Sequence, residues 1–193
     1  MGGLELDPRK TALLCLDVQQ FTVEHLPAAR REALLAAISR ALDGARTAGV
    51  QVIYVVAERR ADFSSARNKF TRGRPAPTDP TEATARMKIP EPIAPMDGDP
   101  VVRKPRMSAF YASPLDSMLR ARDIDSIVLT GVSTNFVVES TARAAVDMDY
   151  RVIVLEDCVT AGDEAVHRAA LASMEPLADI VSADQFLSSV AGG

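Results

Sequence analysis

The segment from Gly131 to Thr141 (Gly-Val-Ser-Thr-Asn-Phe-Val-Val-Glu-Ser-Thr) follows the apolar run Ile127–Leu129 and changes at once into a helical pattern. A buried strand that turns directly into a helix presents several unpaired backbone N–H groups at one point, and such groups favour bound anions or a developing oxyanion. This junction suits acyl-transfer or vinyl-ether chemistry. It nevertheless looks like a reaction centre that lacks its nucleophile.

The composition excludes several classes of protein. The 193 residues carry a formal net charge of −4 without long basic runs, which argues against a nucleic-acid-binding protein. No apolar run approaches the roughly 18 residues of a membrane span, and the N-terminus does not resemble a signal peptide. Cys15 and Cys158 lack the spacing of a disulfide framework or a zinc site. We therefore expect a cytoplasmic protein that binds neither nucleic acid nor membranes.

Strand-like and helix-like patterns alternate along the chain. The apolar run Ala12–Leu16 precedes a helical pattern over Pro27–Ala48, and the β-branched run Val50–Ala57 follows. The unit repeats with a helix from about Asn135 to Met148 and a strand over Arg151–Leu155. This alternation predicts one doubly wound, three-layer α/β/α domain over residues 1–193, in which functional residues gather at the carboxyl ends of the strands. Four candidates fall there: Asp17, Lys104, Gly131 and Asp157.

Residues 58–100 interrupt this alternation. The segment is rich in proline, has no clear apolar period and is far longer than most connections in compact domains. It is also basic, and its cations are Arg59, Arg60, Arg67, Lys69, Arg72, Arg74, Arg86 and Lys88. We interpret it as a lid or an oligomerisation arm, with an ordinary solvated surface as the alternative.

Three segments in this order resemble one known family. They are Ala12–Gln19 (Ala-Leu-Leu-Cys-Leu-Asp-Val-Gln), Lys104–Phe110 (Lys-Pro-Arg-Met-Ser-Ala-Phe) and Gly131–Thr141. Together they resemble the isochorismatase-like (cysteine hydrolase) superfamily over nearly the whole chain. The resemblance implies a six-stranded, mostly parallel sheet in the order 3-2-1-4-5-6, a small-molecule substrate, no cofactor, and assembly as a homodimer or homotetramer.

The resemblance also implies roles for individual residues. The amidases of the family use an Asp, a Lys and a nucleophilic Cys; Asp17 and Lys104 match the first two, but Val137 stands at the Cys position. An isopropyl group cannot act as a nucleophile, so the covalent amidase route through this position is closed. Isochorismatases proper also lack this Cys and hydrolyse a vinyl ether. By that resemblance, Asp17 protonates the substrate or orients water, and Lys104 stabilises negative charge.

Further positions match the family's substrate and oxyanion sites. In the family, the peptide bond after the residue that matches Val132 is often cis, and nearby N–H groups form an oxyanion hole. Pro105 and Met107 replace aromatic residues of isochorismatases, which leaves the substrate open. The nicotinamidases of the family bind a metal near the second strand through Asp and His. The matching segment here, Glu58–Asp62, contains no histidine, so no metal is expected. The substrate-binding or oxyanion-binding candidates are Gln19, Arg106, Met107, Val132, Ser133, Thr134 and Phe136.

The sequence leaves alternative interpretations open. Asp17 could simply cap a turn, and Ser133 and Thr134 could be ordinary helix N-caps. Loss of the Cys could mean loss of catalysis, which would leave a metabolite-binding or assembly protein. Alternatively, Cys158 could act as a relocated thiol in an amide hydrolase. The leading hypothesis is a hydrolase that uses Asp17 and Lys104 on a small, anionic substrate.

Overall fold

A six-stranded parallel sheet forms the centre of the computed structural model, which describes residues 4–58 and 80–191. The strand order is β3-β2-β1-β4-β5-β6, and every neighbouring pair is parallel. This confirms the predicted doubly wound order 3-2-1-4-5-6. The strands are β1 (Thr11–Leu16), β2 (Gln51–Ala57), β3 (Val101–Lys104), β4 (Ser126–Val132), β5 (Arg151–Thr160) and β6 (Asp179–Val181).

Helices cover both faces of the sheet, as βαβ connections require. They are α1 (Gln20–Val23), α2 (Ala28–Thr47), α3 (Pro80–Arg86), α4 (Leu115–Arg120), α5 (Glu139–Val146), α6 (Glu164–Met174) and α7 (Ala183–Val190). Short 3₁₀ turns occur at Pro8–Lys10 and Glu91–Ile93, and a single π turn at Thr134–Val138 precedes α5. In the two described ranges, no helix is both long and apolar enough to cross a bilayer.

Two buried clusters, one on each face of the sheet, explain why these segments form these elements. All six residues of β1 are buried, because both faces of this central strand are covered. Its sequence is therefore an almost continuous apolar run. One cluster contains Cys15 and the inward face of α2, where Leu34, Ile38 and Leu42 recur at helical spacing. The other cluster contains Leu14, Leu16, Leu129, Val137, Val138, Ala142 and Ala145.

The structure corrects the predicted end of β5. The strand was expected to stop at Leu155, because the polar residues Glu156 and Asp157 follow it, but it continues to Thr160. The register with β4 shifts between Leu129 and Gly131, and both polar residues are exposed within this irregular stretch. Asp157 therefore lies inside the strand rather than just beyond it. Its side chain accepts a hydrogen bond from the backbone N–H of Ala183 at 2.8 Å, which caps the start of α7.

The predicted lid or arm over residues 58–100 lies only partly within the described residues. Arg59, Arg60, Arg67, Lys69, Arg72 and Arg74 are outside them. The described part contains α3, and Arg86 forms an ion pair with Glu24 next to α1. The backbone N–H of Gln20 also donates to Lys88 O at 2.9 Å. The segment that leads into β3 is therefore fastened to the start of α1.

Gly131 allows β4 to pass close to β1 at the carboxyl end of the sheet. Leu16 and Gly131 are register partners, and a Cβ atom added to Gly131 would lie 2.1 Å from the backbone oxygen of Leu16. The φ angle of Gly131 is +142°, which residues with a side chain rarely adopt. Glycine is required here because both the space and the backbone conformation exclude a larger residue.

We expect Gly131→Ala to lower the free energy of unfolding by about 3 kcal/mol or more, since the new methyl group collides with backbone that cannot yield. Gly162→Ala is the matched control, because a Cβ there would meet no atom within 4 Å. Its effect should stay within about 0.5 kcal/mol. Urea denaturation of the two variants measures the difference, and equal stabilities would contradict the close approach of β1 and β4.

Candidate active site

A buried ion pair joins the two predicted catalytic residues. Lys104 Nζ lies 2.7 Å from Asp17 Oδ2, and the two side chains are only 1% and 12% exposed. Asp17 follows β1 and Lys104 ends β3, so the carboxyl ends of two strands that flank β2 supply the pair. Parallel pairing of Ala57 with Lys104 at the end of β2 holds the lysine at this level of the sheet.

Two opposing influences act on the pKa of the Asp17 carboxyl group. Burial raises its pKa from 3.8 to about 6, while the ammonium of Lys104 acts in the opposite direction. Oδ2 accepts the hydrogen bond from Lys104, but the buried Oδ1 has no hydrogen-bond partner among the described residues. An oxygen that is dry, unpartnered and able to hold a proton near neutral pH has the properties of a general acid.

Backbone contacts fix where Asp17 lies. Its N–H donates to Val55 O at 2.8 Å, and its own carbonyl oxygen accepts from the hydroxyl of Thr22 at 2.7 Å. Its φ angle is +52°, a left-handed conformation that Asp tolerates better than most residues. The carboxyl group is thus carried by a tight turn that is bonded on both sides.

Lys104 is held equally firmly. Its ammonium also donates to the backbone oxygen of Arg106 at 2.7 Å. An ammonium has three N–H donors, and the two partners within the described residues leave one for a ligand. The following segment is tied to α5, because the N–H of Ala109 donates to Thr141 Oγ1 at 3.0 Å.

The junction after β4 lies beside this pair, since Leu16 and Gly131 are register partners. The peptide bond between Val132 and Ser133 is cis, as the resemblance led us to expect. The π turn begins at Thr134, and no described acceptor takes the backbone N–H of Thr134 or Asn135. These two N–H groups can bind an anion.

Val137, which the resemblance matches to the Cys of the amidases, is 2% exposed. It belongs to the same buried cluster as Leu16, Ala109 and Val138. Its surroundings are aliphatic, and its side chain offers neither a proton nor an electron pair. What the structure supplies at this site is a carboxyl group, an ammonium group, and backbone N–H groups without an acceptor among the described residues.

The other predicted binding residues have different positions. Gln19 is 1% exposed, and its side-chain amide is occupied by the backbone: Nε2 donates to Met87 O at 2.7 Å and Oε1 accepts from Ala57 N at 2.9 Å. Gln19 therefore braces the loops around the site. Arg106 is exposed, as are Met107 (42%) and Phe136 (53%), and the backbone oxygen of Arg106 accepts from Lys104 of the ion pair.

The structure adds one residue to which we assigned no role from the sequence. His167, in the first turns of α6, has its Nδ1 atom 2.9 Å from the hydroxyl of Thr134. The two residues are 33 positions apart, so only the folded chain reveals the contact. The sequence does contain a signal for the start of the helix that carries His167. Asp163 caps α6 by accepting from Val166 N at 3.0 Å.

Cys158 does not have the properties of a relocated nucleophile. It is completely buried and belongs to the cluster on the sheet face opposite to that of Val137. Burial raises the pKa of its thiol, so the thiolate that would attack a substrate is disfavoured. Among the described residues, there is also no group of three or more His, Cys, Asp and Glu side chains that could hold a metal ion.

Comparison with known proteins identifies the family of this chain. The family model described as Isochorismatase domain matches residues 11–185. Ureidoacrylate amidohydrolase RutB of Methylobacterium radiotolerans is 35% identical over an alignment of 195 positions, which covers 89% of this chain and 76% of that protein. The protein of the same name from Stutzerimonas stutzeri is 33% identical over an alignment of 212 positions, which covers 97% of this chain and 86% of that protein.

Solved structures show the same architecture. An isochorismatase family protein from Burkholderia thailandensis superposes with a TM-score of 0.86 at 29% identity, covering 98% of this chain and 99% of that one. A cysteine hydrolase from Pseudomonas syringae gives a TM-score of 0.81 at 25% identity, covering 96% and 94%. The family match spans most of the chain, and relatives above 30% identity cover it almost end to end. This chain therefore belongs to the isochorismatase family of hydrolases.

Proposed function

We propose that this chain hydrolyses a small, carboxylate-bearing metabolite in which a heteroatom is attached to a carbon–carbon double bond, with Asp17 as the acid. The observation that carries the proposal is the buried Asp17–Lys104 pair, in which Asp17 Oδ1 is unpartnered while Lys104 holds Oδ2. A group that must deliver a proton to carbon needs this arrangement: a dry oxygen with a raised pKa, beside a cation that stabilises the carboxylate left behind.

The proposed reaction needs no enzyme nucleophile. Asp17 transfers its proton to the alkene carbon, which leaves a cation stabilised by the adjacent oxygen. Water adds to that cation and loses a proton, and the resulting hemiketal breaks into a carbonyl compound and an alcohol. The ammonium of Lys104 stabilises the Asp17 carboxylate during this sequence. The free N–H groups of Thr134 and Asn135 are available for the substrate carboxylate.

The relatives named ureidoacrylate amidohydrolase suggest a second substrate of the same type. In 3-ureidoacrylate, a nitrogen takes the place of the vinyl-ether oxygen. Protonation of the carbon next to the carboxylate, followed by addition of water, would release urea and 3-oxopropanoate. Attack on the ureido carbonyl would instead release carbamate and aminoacrylate. The identity of the products therefore separates acid catalysis by Asp17 from amide hydrolysis.

We expect Asp17→Asn and Lys104→Met each to lower kcat/KM by about 10²- to 10⁴-fold, because the first variant removes the acid and the second removes its counter-ion. Turnover is measured on isochorismate, other vinyl ethers and 3-ureidoacrylate. Asp125→Asn is the matched control, since the Asp125 side chain is 60% exposed and pairs only with Lys10 at 3.9 Å among the described cations. Full activity of Asp17→Asn would refute the assignment, and substrate binding without turnover in the unmodified protein would indicate a binding role.

The pH dependence should show an acid that must be protonated. Burial raises the pKa of Asp17 to about 6, so the protonated fraction falls as pH rises through that value. We expect kcat/KM to fall by about tenfold per pH unit well above about pH 6. A general base at Asp17 would give the opposite limb, with kcat/KM rising through the same region. Steady-state rates in overlapping buffers decide between them.

Val137→Cys should introduce thiol-dependent amide hydrolysis, because it places a nucleophile where the resemblance places that of the amidases. We expect this activity to be abolished by iodoacetamide and to yield carbamate from 3-ureidoacrylate. The unmodified protein should resist the reagent, since Cys15 and Cys158 are both buried and burial raises the pKa of each thiol. Inactivation of the unmodified protein would instead favour a thiol mechanism through Cys158.

A further inference from the structure

A hydroxyl–imidazole contact lies behind the junction that supplies the free N–H groups. Thr134 Oγ1 and His167 Nδ1 are 2.9 Å apart, within hydrogen-bond range. Thr134 opens the π turn after β4, while His167 belongs to α6, the helix after β5. The bond therefore links the anion-binding turn to a neighbouring βα unit.

The pair resembles a nucleophile and its base, but the direction of the hydroxyl argues for a different role. The Thr134 hydroxyl is engaged with a ring nitrogen of His167 in α6, whereas a nucleophile must face the substrate. The hydroxyl of Thr134 faces His167, and its backbone N–H is left for another partner. The Thr134 side chain therefore anchors the residue, while its backbone N–H is available to bind an anion.

The junction is fixed on its other side as well. Gly131 lies against the backbone of Leu16, so β4 cannot move toward β1. Ser133 O accepts from the N–H of Phe136 at 3.1 Å and of Val138 at 3.3 Å, which closes the π turn. The direction of the Thr134 and Asn135 N–H groups then depends on what anchors Thr134, and among the described residues that anchor is His167.

We propose that His167 is a positioning residue: its neutral imidazole accepts the hydroxyl hydrogen of Thr134 and thereby aims the N–H groups of Thr134 and Asn135 at the substrate carboxylate. The inference deepens the proposed function and rests on it for the identity of the bound group. Binding of a small anion at the turn does not depend on turnover, so the two can be tested separately.

The charge state of His167 decides whether it can accept this hydrogen bond. A neutral imidazole has one acceptor nitrogen, whereas a protonated one has none. Burial lowers the pKa of His167, which favours the accepting form at neutral pH. The charged groups around it oppose one another: Glu164 and Arg168 on α6, Arg30 on α2, and Glu156 on β5. Arg30 is itself paired with Glu164 at 3.0 Å.

Binding of acrylate, followed through the amide resonances of Thr134 and Asn135, tests the proposal. We expect His167→Leu and Thr134→Val each to weaken acrylate binding by roughly fivefold, the effect of losing one hydrogen bond. His167→Asn should retain binding within about twofold, because its amide oxygen can accept where Nδ1 does. The double variant Thr134→Val/His167→Leu should be no weaker than either single variant. His25→Asn, which alters the chain's other histidine, is the control and should bind as the unmodified protein does.

A pH titration in the Asp17→Asn background gives a second, spectroscopic readout, because Asp17 then no longer titrates. The amide resonances of Thr134 and Asn135 should shift with the same midpoint as the ring of His167. In Asp17→Asn/His167→Asn they should not shift through that range. A merely structural histidine would leave the two amides unchanged while its own ring titrates.

Several results would overturn the inference. They are an absence of acrylate-induced shifts at Thr134 and Asn135 in the unmodified protein, equal binding by His167→Leu and the unmodified protein, or equal losses in His167→Asn and His167→Leu. Failure of the proposed function alone has a different signature: no vinyl ether or 3-ureidoacrylate is turned over, yet the acrylate pattern across the variants persists.

Discussion

The buried contact between Lys104 and Asp17 is the interaction on which the rest of this site depends. An isolated charge in a dry environment is strongly disfavoured, so each partner is tolerated only because the other is present. The fold provides that proximity by ending β1 and β3 at the same edge of a parallel sheet, with β2 between them. Bonds to Val55, Thr22 and the backbone of Arg106 then remove the remaining freedom. A pair held in this way is shielded from water, so its two charges are screened little.

Much of this arrangement could be predicted from the residues. Continuous apolar runs predicted the central strands, and the rule that parallel strands end together placed Asp17, Lys104 and the Gly131 junction near one another. The strand order came from the resemblance to a family rather than from periodicity, and it is confirmed. Ser182 and Gln185 also formed a capping box that the sequence displayed, so α7 could have been predicted from its start signal. The roles of the site residues stay predictions.

Other features could not be predicted, because they arise only when distant segments meet. Nothing near Gln19 indicates that its amide binds the backbone of Ala57 and Met87 rather than a substrate. The contact of His167 with Thr134 joins two βα units and leaves no local pattern. The length of β5 was misjudged because two polar residues interrupt its apolar run, whereas the sheet accommodates them in an irregular stretch with their side chains exposed. Each of these depends on tertiary packing rather than on local propensity.

The bonds of Gln19 have a consequence for how this family can diversify. The Gln19 side chain binds the backbone of Ala57, where β2 ends, and of Met87, which precedes β3. It therefore holds together the two ends of the chain segment between residues 57 and 87. The entropic cost of closing such a loop rises only slowly with its length. Insertions and deletions between residues 57 and 87 can therefore accumulate over evolution without altering the strands that carry Asp17 and Lys104. The contact between Asp17 and Lys104 can then be kept while the chain between Ala57 and Met87 changes in length and composition.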